Sequence, residues 1–130
     1  HIVMSLPVVD MEKKSMLFSK WSPEDKLRIG SLGNLEPTND KNIIFPQLMI
    51  VPMLMFDRKF FRLGYGGGYY DKSIIKLKKY FQKEKKFFTT IGLSYSEKEI
   101  DQIPYENHDM NLDYIVTEKE FLSRKSSPVC

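Results

Sequence analysis

The apolar positions of this chain fall in short runs separated by clusters of turn-forming and charged residues. Ile2 to Val9 is rich in branched side chains and reads as a buried strand ending near Pro7. Met16 to Trp21 alternates apolar and polar residues and reads as a second strand. Ser22-Pro23-Glu24-Asp25 has the form of a helix start, with a Ser cap, Pro at the first position and acids in the first turn. Gly30 and Gly33 keep that helix short. Asn34 to Asp40 is dense in turn residues and is expected to be loop.

Gln47 to Met55 is a nearly continuous apolar run, as in central strands covered on both faces. Ile74, Leu77 and Phe81 recur at helical spacing, which predicts a helix from Tyr69 to Gln82. Lys72, Lys76, Lys79 and Lys83 read as its solvated surface. Thr89 to Tyr95 and Asp113 to Thr117 are expected strands. A short helix over Glu97 to Gln102 stops at Pro104, and the tail from Ser123 is expected to fray. Strands and helices alternate without repeats or a linker. That order predicts one α/β domain over residues 1–130, three-layer α/β/α with a mostly parallel sheet. Ligands of such sheets bind at the carboxyl ends of the strands.

Composition narrows the function classes. The chain has 130 residues, 42% hydrophobic, enough for one core. The net charge of +3 suits a polyanionic small molecule and is too weak to argue for nucleic acid. No apolar run has the length of a membrane span, and no signal peptide is visible. The single cysteine is Cys130, so no internal disulfide forms and a cytoplasmic location is the expectation.

The candidate chemistry lies in Arg62-Leu63-Gly64-Tyr65-Gly66-Gly67-Gly68-Tyr69-Tyr70-Asp71, which holds four of the seven glycines. Glycine loses the most freedom on folding, so a cluster of it implies a backbone that must approach something closely. This cluster runs into the start of the predicted helix. A glycine loop feeding a helix N-terminus turns amides and the positive end of the helix dipole toward an anion. Arg62 adds a planar cationic fork suited to phosphate. Asp71, in the first turn, can hold a metal ion that bridges phosphates. Two readings stand on these residues: a nucleotide-phosphate site, or a glycine-rich hairpin turn with aromatic flanks. No Lys-Ser or Lys-Thr closes the loop, and Tyr69 occupies the place of the last glycine of a dinucleotide motif, so neither common phosphate motif is present.

These ten residues resemble the signature of the 5-formyltetrahydrofolate cyclo-ligase (methenyltetrahydrofolate synthetase) family. The resemblance extends in order along the chain: Leu6-Pro7-Val8-Val9, Phe18 to Trp21, Gly30 with Gly33-Asn34-Leu35-Glu36-Pro37, and Ile50-Val51-Pro52 with Phe56-Asp57. It continues through Ile103-Pro104, Glu106, His108-Asp109, Leu112-Asp113 and Val116-Thr117-Glu118. There are departures. Met53 and Phe60 stand where the family usually has Gly, and Gln47 stands for a usual Asp. A bulky Phe60 is unfavourable if its turn needs positive φ.

The resemblance implies a Rossmann-like, CoA-transferase-like fold and an ATP-dependent ring closure of 5-formyltetrahydrofolate to 5,10-methenyltetrahydrofolate, with magnesium. A formamide carbonyl is a poor electrophile. Attack of its oxygen on the γ-phosphate gives an iminophosphate, N10 closes the ring, and phosphate leaves. The protein positions the substrates and offsets charge, and no covalent nucleophile is expected. By the resemblance Arg62, Leu63, Gly64, Tyr65, Gly66, Gly67, Gly68, Tyr69 and Tyr70 hold ATP. Tyr65 to Tyr69 also border the folate, and Asp71 and Asp109 ligate magnesium. His108 reads as a loop hydrogen-bonding residue and Trp21 as core. Family members carry a helix and a strand–helix unit ahead of the position of His1. The chain is therefore expected to be N-terminally incomplete, prone to self-association, and a poor enzyme without a complementing segment. Two other readings remain: a non-catalytic nucleotide- or folate-binding remnant or subunit, and a sugar-phosphate or CoA-handling enzyme on a related fold.

Overall fold

The computed structural model describes residues 2–38, 42–64, 66–104 and 110–124. The chain divides into two compact units, His1–Pro46 and Gln47–Cys130.

The first unit is built from antiparallel pairs. β1 (Ser5–Asp10) and β2 (Ser15–Lys20) form a hairpin, and β5 (Ile43–Ile44) adds to the far side of β2. β3 (Leu27–Ile29) and β4 (Leu35–Pro37) form a second hairpin. Three expectations need correction here. β1 does not end at Pro7: it runs on to Asp10, with Pro7 opposite Phe18. Pro lacks the amide that a central strand would use, but β1 is at the edge of its sheet, where that loss is tolerated. Ser22 to Asp25 is a turn, not a helix. The Ser22 amide donates to Asp25 Oδ2 (2.8 Å) and the Asp25 amide to the Ser22 carbonyl (2.9 Å), and strand pairing resumes at Leu27. The stretch expected to be loop contains β4. Its Glu36 is 4% exposed, and one carboxylate oxygen accepts from the Val9 amide at 2.9 Å.

The second unit holds β6 (Leu48–Pro52), β7 (Met55–Phe56), β8 (Arg62–Leu63), α1 (Tyr69–Lys83), β9 (Thr89–Leu93), β10 (Tyr114–Val116) and β11 (Phe121–Ser123). Its main sheet has the order β11-β10-β9-β6. The β6–β9 and β9–β10 pairs are parallel and β10–β11 is antiparallel. This is an α/β fold with a mixed sheet. The described residues contain a single α-helix, so a second helical layer is not among them. Glu97 to Gln102 forms only a 3-10 turn at Ser96–Lys98.

One sheet face buries Met49, Val51, Thr90 and Ile115, each at most 3% exposed, and α1 buries Ser73, Ile74, Leu77 and Phe81. Parallel strands β9 and β10 are also tied by side chains. Asp113 Oδ2 accepts from the Thr90 amide and hydroxyl, at 3.0 and 3.2 Å, and the Thr90 hydroxyl oxygen accepts from the Asp113 amide at 3.0 Å. The continuous apolar run at β6 is not covered on both faces among the described residues. Leu48, Ile50, Leu93 and Phe121 share the opposite face and are each more than half exposed.

Met53, a departure from the family pattern, is 6% exposed. A Cβ built on Gly92 would lie 2.6 Å from Met53 Sδ and 2.6 Å from Leu112 Cδ1. The missing side chain at Gly92 therefore makes room for the added one at Met53. Gly92→Ala should destabilise the fold by about 1–3 kcal/mol, the usual cost of overpacking. Combining it with Met53→Ala should cost less than the sum of the two single changes. Denaturant unfolding of the three variants checks this, and strict additivity would show that the two sites are uncoupled.

Candidate functional site

The candidate site begins where β6 ends. The chain passes through β7, turns over residues 57–61, returns as β8, and enters the glycine loop before α1. β7 pairs antiparallel with β8, Phe56 opposite Arg62 and Met55 opposite Leu63. The Leu54 amide closes this hairpin on the Leu63 carbonyl at 2.9 Å. Arg62 thus leaves the carboxyl end of the sheet already held in register.

The Arg62 side chain is 6% exposed. Its Nη1 donates to the Pro52 carbonyl at 3.3 Å, and Nη2 lies 3.8 Å from Asp71 Oδ1. The guanidinium carbon is 5.5 Å from the centre of the Tyr70 ring, within cation–π range. The guanidinium Nε is buried and, among the described residues, has no hydrogen-bond partner. An unsatisfied buried donor on a cation is costly, and such a donor points to a ligand group that completes it. Gly64 makes room for this side chain, since a Cβ there would lie 2.6 Å from Arg62 Nη1.

Gly66, Gly67 and Gly68 have φ of 95°, 76° and 67°, three left-handed residues in succession. Side chains rarely adopt this backbone, which accounts for the glycine run. Gly68 is the N-cap of α1, and its carbonyl accepts the Lys72 amide at 3.0 Å. Among the described residues no side chain caps this end. The first amides of an α-helix have no acceptor within the helix, and the dipole is positive there. A left-handed glycine run, a helix start with no side-chain cap among the described residues and a buried arginine with an unpaired donor are the features that an anion cradle would need.

The structure places Arg62 on β8, Gly64, Gly66, Gly67 and Gly68 in the loop that follows, and Tyr69, Tyr70 and Asp71 in the first turn of α1. Leu63 lies on β8 and is 44% exposed. Tyr65, His108 and Asp109 lie outside the described residues. Asp71 stands in the first turn of α1 with its side chain 26% exposed. Among the described residues no three His, Cys, Asp or Glu side chains come together. A hard cation here would rest on Asp71, phosphate oxygens and water, the mode magnesium adopts with nucleotides, so the donor set fits that ion.

Asp57 lies in the Phe56-Asp57 pair of the family resemblance, which assigns it no role. The signal was a lone carboxylate in a strongly apolar stretch: Asp57 is 1% exposed. Phe60 has φ of 69°, so the turn does need the left-handed backbone that the family's usual Gly would accept easily. Beside this turn Arg58 bridges Glu99 (2.9 Å) and Glu120 (2.8 Å). The hydrogen bond that it donates to Glu99, then the one to Glu120, raise its pKa above the ordinary arginine value. After β10, Glu118 accepts the Ser96 amide at 2.7 Å and the Ser96 hydroxyl at 2.9 Å. The amide bond lowers the Glu118 pKa, so this tie is full above the ordinary carboxylate range and is lost as pH falls through the lowered value.

The family model described as the 5-formyltetrahydrofolate cyclo-ligase family matches residues 2–118. The chain belongs to the 5-formyltetrahydrofolate cyclo-ligase family. It is 29% identical over 112 residues to the 5-formyltetrahydrofolate cyclo-ligase of Haemophilus influenzae, covering 82% of this chain and 57% of that one. It is 30% identical over 115 residues to a probable cyclo-ligase of Schizosaccharomyces pombe, covering 82% and 56%. The solution structure of Aquifex aeolicus 5,10-methenyltetrahydrofolate synthetase superposes with a TM-score of 0.71 at 25% identity, covering 98% of this chain and 61% of that one. A methenyltetrahydrofolate synthetase from Mycoplasma pneumoniae shares the fold, with a TM-score of 0.57 at 23% identity. The chain spans about half the length of the curated relatives it matches.

The loop geometry separates two neighbouring glycines. A Cβ on Gly67 would lie 2.7 Å from the Tyr69 ring, whereas one on Gly66 meets nothing within 4 Å. Both substitutions incur left-handed strain of about 1–2 kcal/mol. Gly67→Ala should lose about 1–3 kcal/mol more, through crowding against Tyr69. Equal stabilities of the two variants in denaturant unfolding would contradict the placement of that ring.

Proposed function

We propose that this chain carries the nucleotide site of an ATP-dependent 5-formyltetrahydrofolate cyclo-ligase. The observation that carries the reading is the buried Arg62 with its orphan Nε, beside three left-handed glycines at an uncapped helix start. Membership of the family, and the names borne by its relatives, support formyltetrahydrofolate as the substrate whose carbonyl is activated.

The residues divide the work by chemistry. The amides of Gly66, Gly67, Gly68 and the first turn of α1 bind the triphosphate, and Arg62 offsets the charge that develops as the γ-phosphoryl group transfers. Tyr65, Gly66, Gly67, Gly68 and Tyr69 also border the formyl end of the folate, which brings the acceptor oxygen in line with the γ-phosphate. Leu63 and Gly64 belong to the same ATP-binding stretch, where Gly64 leaves room for the Arg62 guanidinium. Asp71, with Asp109, would hold magnesium, which would supply positive charge to offset that of the phosphates. Orientation and charge stabilisation suffice for this transfer, so no side chain acts as a nucleophile. Residues 1–130 act as one cyclo-ligase domain, in the cytoplasm, and are complemented by a segment corresponding to the part of the relatives that this chain does not match.

The test is formation of the near-ultraviolet-absorbing methenyl product from 5-formyltetrahydrofolate, ATP and magnesium. It is run on the chain alone and on the chain supplemented with that unmatched segment from a relative. Product is expected in the supplemented reaction. Asp71→Asn should raise the magnesium concentration needed for half-maximal rate by about tenfold, the effect of losing roughly one charged contact to the ion. An unaltered magnesium titration removes Asp71 from the metal site. Absence of product and of nucleotide binding under both conditions removes the proposal.

A further inference from the structure

The turn between β7 and β8 contains a carboxylate that the phosphate reading does not use. Asp57 is 1% exposed. Its Oδ1 accepts from the amides of Lys59 (3.0 Å) and Phe61 (3.1 Å). Its Oδ2 accepts from the amide of Ile103 (2.9 Å), far along the chain. Backbone bonds close the same turn, from the Phe60 amide to the Asp57 carbonyl at 3.0 Å and from the Asp57 amide to the Phe61 carbonyl at 3.2 Å. Other chain segments fasten onto it. The Ile100 amide donates to the Phe56 carbonyl (2.9 Å), the Leu112 amide to the Phe60 carbonyl (2.9 Å), and Asn111 Nδ2 to the Lys59 carbonyl (2.7 Å).

Phe60 makes this turn strained, because a residue with a Cβ disfavours φ of 69°. Charge-assisted bonds to a buried carboxylate are strong and oppose the return of Phe60 to the right-handed region. The first residue after Phe61 is Arg62. Its guanidinium fits a narrow place between the Pro52 carbonyl, Gly64 and the Tyr70 ring. A small change in the direction of β8 moves that cation and the glycines behind it.

We propose that Asp57 is a positioning residue for the phosphate site: its carboxylate holds the strained β7–β8 turn in the conformation that places Arg62 and the glycine loop, and ties it to Ile103. The proposal rests on the reading of the loop as a phosphate cradle. A carboxylate is required because both oxygens accept. An amide would present its NH2 group to an amide donor on one side or the other.

The test compares Asp57→Asn and Asp57→Ser with Thr90→Val, which breaks the Asp113 network away from the loop. Ser can keep one local turn bond but cannot reach Ile103. Backbone amide resonances and the Arg62 Nε–H resonance are recorded without ligand, with the Tm and the Kd for Mg-ATP. Both Asp57 variants should keep the amide pattern of β9 and the second half of α1. They should shift Gly66, Gly67, Gly68 and Arg62 Nε, and weaken Mg-ATP at least tenfold. Thr90→Val, with a comparable fall in Tm, should leave the Kd within twofold. A folded Asp57 variant with unmoved loop resonances overturns the proposal, as does an equal loss of affinity in Thr90→Val. Shifted loop resonances in a chain whose unsubstituted form does not bind Mg-ATP keep Asp57 as the loop's strut and defeat the phosphate reading instead. If neither Asp57 variant folds, hydrogen exchange of the unsubstituted chain decides. Mg-ATP should slow exchange at Lys59, Phe61 and Ile103 together with the loop amides, and slowing of the loop alone overturns the proposal.

Discussion

Three successive left-handed glycines determine how the chain leaves β8 and enters α1, and the candidate site depends on that change of direction. Side chains at these positions would strain the backbone by about 1–2 kcal/mol each, which glycine avoids. The glycines act together with Arg62, whose guanidinium is enclosed by a backbone carbonyl, the place of a missing Cβ and an aromatic ring. A buried cation with an unsatisfied donor is stable only when the surrounding fold holds it or a ligand completes it. The helix dipole adds to the same field, and Asp71 offsets part of the positive charge at 3.8 Å. An incoming polyanion with its own cation would replace that internal pairing with stronger contacts.

The parts of this arrangement that were legible in the sequence are those with local signals. The i, i+3, i+7 spacing of Ile74, Leu77 and Phe81 placed α1, which runs Tyr69–Lys83 against an expected end at Gln82. The glycine cluster placed the loop, and Phe60 announced its own strain. Strands β6, β9 and β10 followed from apolar runs. What failed depended on distant partners. Ser22-Pro23-Glu24-Asp25 satisfies the chemistry of a helix cap, yet the following residues find more hydrogen bonds in the β3–β4 pair than in a helix that Gly30 would soon end. Pro7 was read as a stop because the sequence does not say that β1 is an edge strand. The role of Asp57 is not legible in the sequence, since it lies in a bond from the Ile103 amide that no local pattern connects to it.

The same contrast runs through the family pattern. Met53 is accommodated by the absence of a side chain at Gly92 on β9, visible only when both are seen in space. Phe60 is not compensated by a neighbour's size. It is held in an unfavourable backbone by the bonds around Asp57. A sequence can show that a residue departs from its family, while only the surrounding contacts show whether the departure is relieved by space or restrained by bonding.

The central claim is that the orphan Arg62 donor and the left-handed glycines form one anion site. The most direct measurement is a nitrogen-15 NMR titration of the unsubstituted chain with Mg-ATP. The Arg62 Nε–H resonance and the amides of Gly67 and Gly68 should shift together, with one common dissociation constant. Saturable binding that leaves Arg62 Nε–H and these glycines unmoved would contradict it.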